Sequence, residues 1–223
     1  SDDKGPAVAA LYAMRAVREL GVPLKGRVRL ILGTDEECGS SDIDRYYAEE
    51  PEAPMTFSPD ADFPVINIEK GRLAGDLSAE WPEEMALPRL VAFCGGIKIN
   101  VVPSSAEAIL EGLTPAEVAA QVSAAADRTG IQFTTSAEDN RLLIRASGKS
   151  EHAAEPDGGN NASTGLRDLL ASLPLADSAA KRRLAGLNRL FPHGDWLGRA
   201  LGVDQKDELS GELTLSLDLL EIS

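Results

Sequence analysis

Histidine, cysteine, aromatic residues and long apolar runs are all scarce in this sequence. Its 223 residues include two histidines and two cysteines, and 4% are aromatic. The cysteines, Cys38 and Cys94, are too few and too far apart for a disulfide framework or a thiolate zinc site, which favours a reducing, cytoplasmic location. No apolar run approaches the roughly 18–20 residues that a membrane-spanning helix needs, so we expect no membrane association.

Basic charge is scarce as well. The chain has 22 Lys and Arg residues against 36 Asp and Glu residues, which gives a formal net charge of -14. Binding to phosphate groups requires a basic surface, so this balance argues against nucleic acid and anionic membranes as partners. The acidity is otherwise consistent with simple solubility.

The first third of the sequence alternates helix and strand patterns. Apolar residues recur every third position from Val8 to Leu20, with alanines between them, which predicts a helix over residues 6–20. A short helix is predicted over 41–49, and strands are predicted over 28–32, 56–60 and 64–69. This order is typical of a parallel α/β layer, in which functional groups gather at the carboxyl ends of the strands.

The pattern changes near residue 73, where we place a boundary between two domains, residues 1–73 and 74–223. Thr114, Pro115 and Glu117 form a capping box that predicts the start of a helix. Further helices are predicted over 161–173 and 178–190, and strands over 90–94, 105–110, 131–135, 142–146 and 213–217. The fold class expected for the whole chain is α/β, with an α+β second domain.

Three acidic clusters stand at predicted helix starts or strand ends of the first domain. They are Asp2-Asp3, Glu36-Glu37 and Asp60. Each has an ordinary explanation, because acidic residues cap helices and occupy exposed turns. Adjacent carboxylates also repel each other unless a cation offsets their charge. Together the clusters are therefore consistent with a site for two divalent ions.

The identity of such a metal is left open by the residue types. Zinc sites usually include histidine, yet His152 and His193 both fall in the second domain. Oxygen ligands alone would suit Mg²⁺, Mn²⁺ or Ca²⁺ as well as zinc. His152 lies in a glycine-punctuated loop, from which an imidazole could donate to a developing oxyanion. His193 and Asn100, taken alone, are typical of turns.

Several motifs follow one another in a recognisable order. They are Asp2-Asp3-Lys4-Gly5-Pro6, Gly33-Thr34-Asp35-Glu36-Glu37-Cys38-Gly39-Ser40, Ser58-Pro59-Asp60-Ala61 and Glu69-Lys70-Gly71, then Asn100-Val101-Val102-Pro103 and Gly148-Lys149-Ser150-Glu151-His152-Ala153. The first four resemble the aminoacylase and carboxypeptidase superfamily of two-zinc metallopeptidases, and are most similar to the bacterial Xaa-His (carnosinase-like) dipeptidases. The last two resemble motifs of the lid domain in that branch.

The resemblance implies that residues 1–73 are part of a zinc-peptidase catalytic domain and that residues 74–223 form the lid. Asp2, Glu37 and Asp60 resemble the metal ligands. The implied cofactor is zinc, two ions in the full-length protein, with manganese or cobalt as possible replacements.

The resemblance also implies roles in catalysis and substrate binding. Glu36 resembles the general base that activates the metal-bound water. His152 resembles the lid histidine that contacts the substrate and stabilises the oxyanion, and Asn100 resembles a lid residue that contacts the substrate. The implied substrate is a dipeptide or short peptide, and a homodimer through the lid is possible because some lids of this superfamily pair subunits.

The sequence departs from the family pattern at both ends. The family carries a His-x-Asp motif before the bridging aspartate, and a second histidine ligand and a substrate-gripping arginine further on, and these motifs do not occur here. We therefore expect a truncated, inactive fragment of a longer dipeptidase. Two alternatives remain, an aminoacylase or deacetylase of the same superfamily, and a noncatalytic lid module that serves dimerisation.

Zinc titration tests the expectation that the metal site is incomplete. Because no histidine accompanies the acidic clusters, we expect calorimetric titration of the chain with Zn²⁺ to show weak or no stoichiometric binding. Tight binding of two zinc ions per chain would contradict this.

Overall fold

The computed structural model describes residues 4–36, 39–59 and 64–223. The chain divides into two compact units, Ser1–Glu69 (unit 1) and Lys70–Ser223 (unit 2). The interpretation of these units as catalytic and lid domains, with a boundary at residue 73, stays a prediction. No helix in the described part of the chain is long and apolar enough to cross a membrane.

Unit 1 contains the two helices that the sequence predicts. Helix α1 spans Lys4–Glu19 and helix α2 spans Ser41–Glu49. Alanines favour α1, and a salt bridge between Arg15 and Glu19, one helical turn apart, adds a small contribution. The helix ends before Gly21, whose positive φ of 64° is a conformation that glycine adopts without strain.

The strands predicted for unit 1 are wrong. Residues 28–32, 56–59 and 64–69 take part in no sheet, and Val28, Leu32 and Val65 are exposed. A strand is stabilised by hydrogen bonds to a neighbouring strand, and no described segment of unit 1 supplies such a neighbour. Local apolar patterning therefore predicted strands that find no partner. The α/β class itself is confirmed, because the chain combines helices with a β-sheet.

Unit 2 is built on a five-stranded antiparallel sheet. Its strands are β1 (Arg89–Gly95), β2 (Ser105–Glu111), β3 (Gln132–Glu138), β4 (Arg141–Ser147) and β7 (Leu220–Ile222), in the order β3-β4-β2-β1-β7. Asp139 and Asn140 join β3 to β4 with positive φ angles of 48° and 62°. Two consecutive residues with positive φ are typical of the tight turns that match the twist of a hairpin. A separate short hairpin pairs β5 (Lys206–Asp207) with β6 (Gly211–Glu212).

Three helices accompany the sheet, and the sequence predicts all of them. They are α3 (Pro115–Thr129), α4 (Ala162–Ser172) and α5 (Ala179–Leu190). Thr114 and Glu117 form the predicted reciprocal capping box at the start of α3, and Gly130 ends that helix in the left-handed conformation. Side chains of α3 and α4 join those of the sheet in one apolar core.

Alternation along the strands separates an apolar inner face from a charged outer face. The inner face of β2 and β4 presents Ala106, Ala108, Leu110, Leu142, Ile144 and Ala146, all buried. On the outer face, Glu107 pairs with Arg145, and Glu111 accepts from both Arg89 and Arg141. The Glu107–Arg145 pair is exposed and contributes little energy, whereas Arg89 and Glu111 are largely shielded from solvent. Burial of the inner face therefore sets the register of the sheet.

The strand predicted over residues 213–217 is wrong. Residues 213–219, which we call the strap, belong to no sheet, and the strand that pairs with β1 is β7, which begins at Leu220. In the strap, Leu213 N donates to Gln205 O and Leu215 N donates to Trp196 O, both at 2.8 Å. The backbone hydrogen bonds of the strap therefore go to loops rather than to a neighbouring strand.

His193 connects two helices in the interior of unit 2. Its Nδ1 lies 2.9 Å from Thr164 Oγ1, and its Nε2 lies 3.1 Å from Thr129 O. A carbonyl oxygen only accepts, so Nε2 carries the proton, and Nδ1 of the neutral ring faces the threonine hydroxyl, which also lies 3.1 Å from Asn161 O. The residue lies in a turn, as predicted, but both ring nitrogens are engaged inside the protein. Burial lowers the pKa of His193, against the opposing effect of the Thr129 carbonyl.

Replacing a core side chain tests the importance of the inner face. Ile144, in the middle of β4, is fully buried. Ile144→Ala should lower the free energy of unfolding by about 2–5 kcal/mol, because a cavity remains where the side chain packed. Chemical denaturation would measure the change. Leu209→Ala, at an exposed position, serves as the control and should be nearly neutral.

The pH dependence of stability tests the assignment of His193. The unfolded chain takes up a proton near the ordinary pKa of 6.5, whereas the folded chain resists protonation. The free energy of unfolding should therefore fall as the pH drops from about 7.5 to about 5.5. Urea denaturation of His193→Gln should show a smaller fall than His152→Gln, which removes the exposed histidine. Equal slopes for the two variants would contradict the assignment.

Candidate functional site

The turn around Glu36 is held by two other carboxylates. Asp35 accepts hydrogen bonds from the backbone N–H and the hydroxyl of Ser41 at the start of α2. Asp42 accepts from the N–H of Thr34, and this bond is the main reason that the pKa of Asp42 is lowered. These contacts close the turn onto the helix. The sequence alone did not separate these two acidic residues from their neighbours.

Glu36 lies in the same turn but is more exposed than Asp35 and Asp42. Its side chain is exposed, and its carbonyl oxygen accepts from the N–H of Gly39. Gly39 and Ser40 both have positive φ angles, 112° and 58°, which reverse the chain before α2. Asp35 and Asp42 are thus used to fold the turn, while the carboxylate of Glu36 points to the surroundings. An exposed carboxylate of this kind is able to accept a proton from water.

The three predicted metal ligands, Asp2, Glu37 and Asp60, lie outside the described residues. In the part of the chain that the structure describes, no group of three or more His, Cys, Asp or Glu side chains comes together to hold a metal ion. His193 offers no free ring nitrogen to a metal, because both are bonded within unit 2. The described residues therefore do not fit a complete metal site, and the ligand set stays a prediction.

In unit 2, His152 lies on a loop that closes on itself like a hairpin. We call residues 148–161 the His152 loop. Lys149 and Asn160 exchange both backbone hydrogen bonds, at 2.9 and 2.8 Å, and Lys149 Nζ donates to Gly158 O at 2.6 Å. The closure requires Gly148, because a Cβ there would lie 2.1 Å from Asn160 O. The glycines of this motif thus set the shape of the loop.

The structure brings Asn100 and His152 together. The N–H of Ala153 donates to Asn100 O, and the N–H of Val102 donates to Glu151 O, both at 2.9 Å. Val101 and His152 consequently form an isolated antiparallel bridge. Two residues predicted to contact substrate, 52 positions apart in the sequence numbering, therefore stand on adjacent backbone segments.

The ring of His152 is oriented by its own loop. Its Nδ1 accepts from the N–H of Ala154 at 3.2 Å, and the side chain is exposed. A nitrogen that accepts carries no proton, so the neutral ring has its proton on Nε2. His152 thus presents an N–H donor to the surroundings, which is what stabilisation of an oxyanion needs.

The strap contributes further contacts to this loop. Thr214 Oγ1 donates to Ala154 O at 3.1 Å, and Asn161 Nδ2 donates to Leu217 O at 3.0 Å. Asp218 is half-buried, and burial raises its pKa, with Ser216, Arg72 and His152 acting in the opposite direction.

The contacts of the strap were not predicted from the sequence. The helix predicted over 161–173 begins at Asn161, a residue type that favours the N-cap, but its second bond, to the strap, has no local signal. Thr214 and Asp218 carry no such signal, because their contacts join segments that are far apart in the sequence.

Comparison with known proteins shows the family to which the chain belongs. The profile of "Peptidase family M20/M25/M40" matches residues 1–148. "Putative dipeptidase YtjP" of Bacillus subtilis (strain 168) is 39% identical over 221 residues, covering 98% of this chain and 47% of that protein. "Putative dipeptidase SAR1836" of Staphylococcus aureus (strain MRSA252) is 33% identical over 225 residues, with the same coverages.

The chain spans about half the length of the relatives that it matches. Within that span, the match includes the Glu36 turn and the segment that contains Asn100. The family resemblance found in the sequence is confirmed: the chain belongs to the peptidase family M20/M25/M40.

Proposed function

We propose that the protein carrying this chain is a metal-dependent dipeptidase that hydrolyses short peptides. The observation that carries the proposal is the pairing of the Asn100 and His152 segments, which presents an imidazole N–H donor beside a second polar residue. Family membership supports a peptidase, and relatives about twice as long are named as dipeptidases. From these two observations we infer that the whole protein acts on dipeptides.

Glu36 is the proposed general base. Hydrolysis of a peptide requires a group that takes a proton from the attacking water and returns it to the leaving amine. Among the acidic residues of its turn, Glu36 has an exposed side chain, while Asp35 and Asp42 are bonded to the backbone. Its carboxylate is therefore free to exchange protons with water.

His152 is the proposed oxyanion donor. Attack on a peptide carbonyl places negative charge on the oxygen, and a preorganised N–H donor stabilises that charge. The bond from Ala154 N–H to Nδ1 fixes the tautomer with the proton on Nε2, so the donor is set before the substrate arrives. Asn100, on the neighbouring segment, is proposed to contact the substrate.

Asp2, Glu37 and Asp60 are the proposed metal ligands. Carboxylate oxygens are suitable donors for two zinc ions, or for manganese or cobalt in their place. When bound, such ions supply positive charge that polarises the peptide carbonyl and acidifies water. A cytoplasmic location and a homodimer formed through unit 2 stay predictions.

Kinetics of two variants test the assignment of the acid–base and donor roles. In the protein that carries this chain, supplied with Zn²⁺, Mn²⁺ or Co²⁺, Glu36→Gln should lower kcat for dipeptides by about 10²–10⁴-fold, because proton transfer is lost. His152→Ala should lower kcat by about 10²–10³-fold, because an oxyanion donor is lost. Initial rates on unblocked dipeptides measure both effects.

A matched control variant and a second substrate distinguish these catalytic roles from loss of activity caused by misfolding. Glu49→Gln removes an exposed carboxylate from α2 and should leave kcat unchanged. Hydrolysis of N-acylated amino acids in preference to dipeptides would indicate an aminoacylase instead. Full activity of both Glu36→Gln and His152→Ala would refute the assigned roles.

A further inference from the structure

We propose that the strap is the positioning element of His152, with Thr214 holding the backbone of the His152 loop and Asp218 placing a carboxylate within electrostatic range of the imidazole. The catalytic part of this inference rests on the proposed function of His152 as an oxyanion donor. The structural part concerns unit 2 alone. Thr214 and Asp218 are positioning residues, because they act through His152 rather than on the substrate.

The first support is that two hydrogen bonds join the strap to the part of the His152 loop that follows His152 in the sequence. Thr214 Oγ1 donates to Ala154 O, two residues after His152, at 3.1 Å. Asn161, at the end of the loop, donates from Nδ2 to Leu217 O at 3.0 Å. The N–H of Ala154 in turn donates to His152 Nδ1. The hydroxyl of Thr214 therefore fixes the residue whose N–H orients the ring.

The second support is the close approach of the strap to the end of β1. At Gly96, directly after β1, a Cβ would lie 1.7 Å from the carbonyl oxygen of Asp218. Only a residue without a side chain permits this contact. The backbone of Asp218 therefore lies directly against the end of β1.

The third support is the set of groups around the carboxylate of Asp218. Ser216 donates its hydroxyl to Asp218 Oδ1, and the side chain is half-buried. Burial raises the pKa of Asp218, while the hydroxyl of Ser216 and the positive charges of Arg72 and His152 lower it. The carboxylate of Asp218 therefore lies within electrostatic range of Arg72 and of His152.

These contacts orient the His152 ring. Nδ1 accepts from Ala154 N–H, so Nε2 carries the proton of the neutral ring. An N–H donor that is oriented before the substrate binds suits an oxyanion site.

Nuclear magnetic resonance of the chain labelled on histidine and aspartate tests the proposal without turnover. The chain has two histidines, so His193, which is bonded elsewhere, serves as an internal reference. Asp218→Asn should shift the ring ¹⁵N and ¹³C resonances of His152 and leave those of His193 in place. Reciprocally, His152→Gln should raise the pKa of Asp218 further, seen in its ¹³Cγ titration, because a positive charge that lowers it is lost.

A variant at Thr214 tests the hydrogen bond between the strap and the backbone of Ala154. Thr214→Val keeps the shape of the side chain but removes the hydroxyl, so the amide of Ala154 should exchange with solvent faster than in the unchanged chain. Thr134→Val, on the exposed edge strand β3, is the matched control and should leave Ala154 exchange unchanged. Equal exchange in Thr214→Val and the unchanged chain would overturn the role of Thr214.

The role of the charge is separated from general effects on structure by two further variants. Glu221→Gln removes an exposed carboxylate from β7 and should not move the His152 resonances. Asp218→Glu keeps the charge and should restore part of the shift that Asp218→Asn causes. Unchanged His152 resonances in Asp218→Asn, or an equal shift in Glu221→Gln, would overturn the role of Asp218.

Failure of this inference differs from failure of the proposed function. If His152→Ala retains full kcat while Asp218→Asn shifts the ring resonances, then His152 is held by the strap but is not the oxyanion donor. If His152→Ala loses activity while Asp218→Asn leaves the ring unchanged, then the donor role holds and the positioning role is refuted.

Discussion

Burial of helix α4 against the inner face of the sheet is the constraint on which the rest of unit 2 depends. Eight of its eleven residues are buried, and its leucines pack into the apolar core. Asn161 caps the helix by accepting from Thr164 N–H, and it also donates to the strap. The first turn of α4 therefore fixes one end of the His152 loop. The position of His152 follows from helix packing as much as from the loop's own sequence.

This burial also encloses Arg167, which lies in the middle of α4. Its Nη2 donates to Phe191 O, while Nε and Nη1 have no hydrogen-bond partner within the described chain. Burial lowers the pKa of Arg167 to about 10, so the group stays charged at neutral pH. An enclosed charge without a counter-charge costs free energy. The hydrogen bond from Nη2 to Phe191 O offsets part of that cost and joins α4 to the residue that follows α5.

The sequence predicted elements well where the determinants are local. The capping box at Thr114 and the alternation in β2 and β4 specify α3 and the central strands without information from distant residues. The strand predicted over 28–32 failed because a strand needs a partner, and apolar patterning does not show whether one exists. Family motifs pointed to Asn100 and His152, but the pairing of their segments was not predicted. The contacts of Thr214 and Asp218 could not be predicted, because only the folded sheet brings them to the loop.

Hydrogen bonding distinguishes the carboxylates of the Glu36 turn more sharply than their spacing does. In the sequence, Asp35, Glu36 and Asp42 are equivalent acidic residues near a predicted strand end. In the structure, Asp35 and Asp42 satisfy backbone N–H groups where α2 begins, a use that lowers the pKa of Asp42 and makes its carboxylate a poor proton acceptor. A general base must instead retain free lone pairs for water. Among the three, Glu36 is the residue whose side chain is exposed rather than bonded to the start of α2, which is consistent with the role proposed for it.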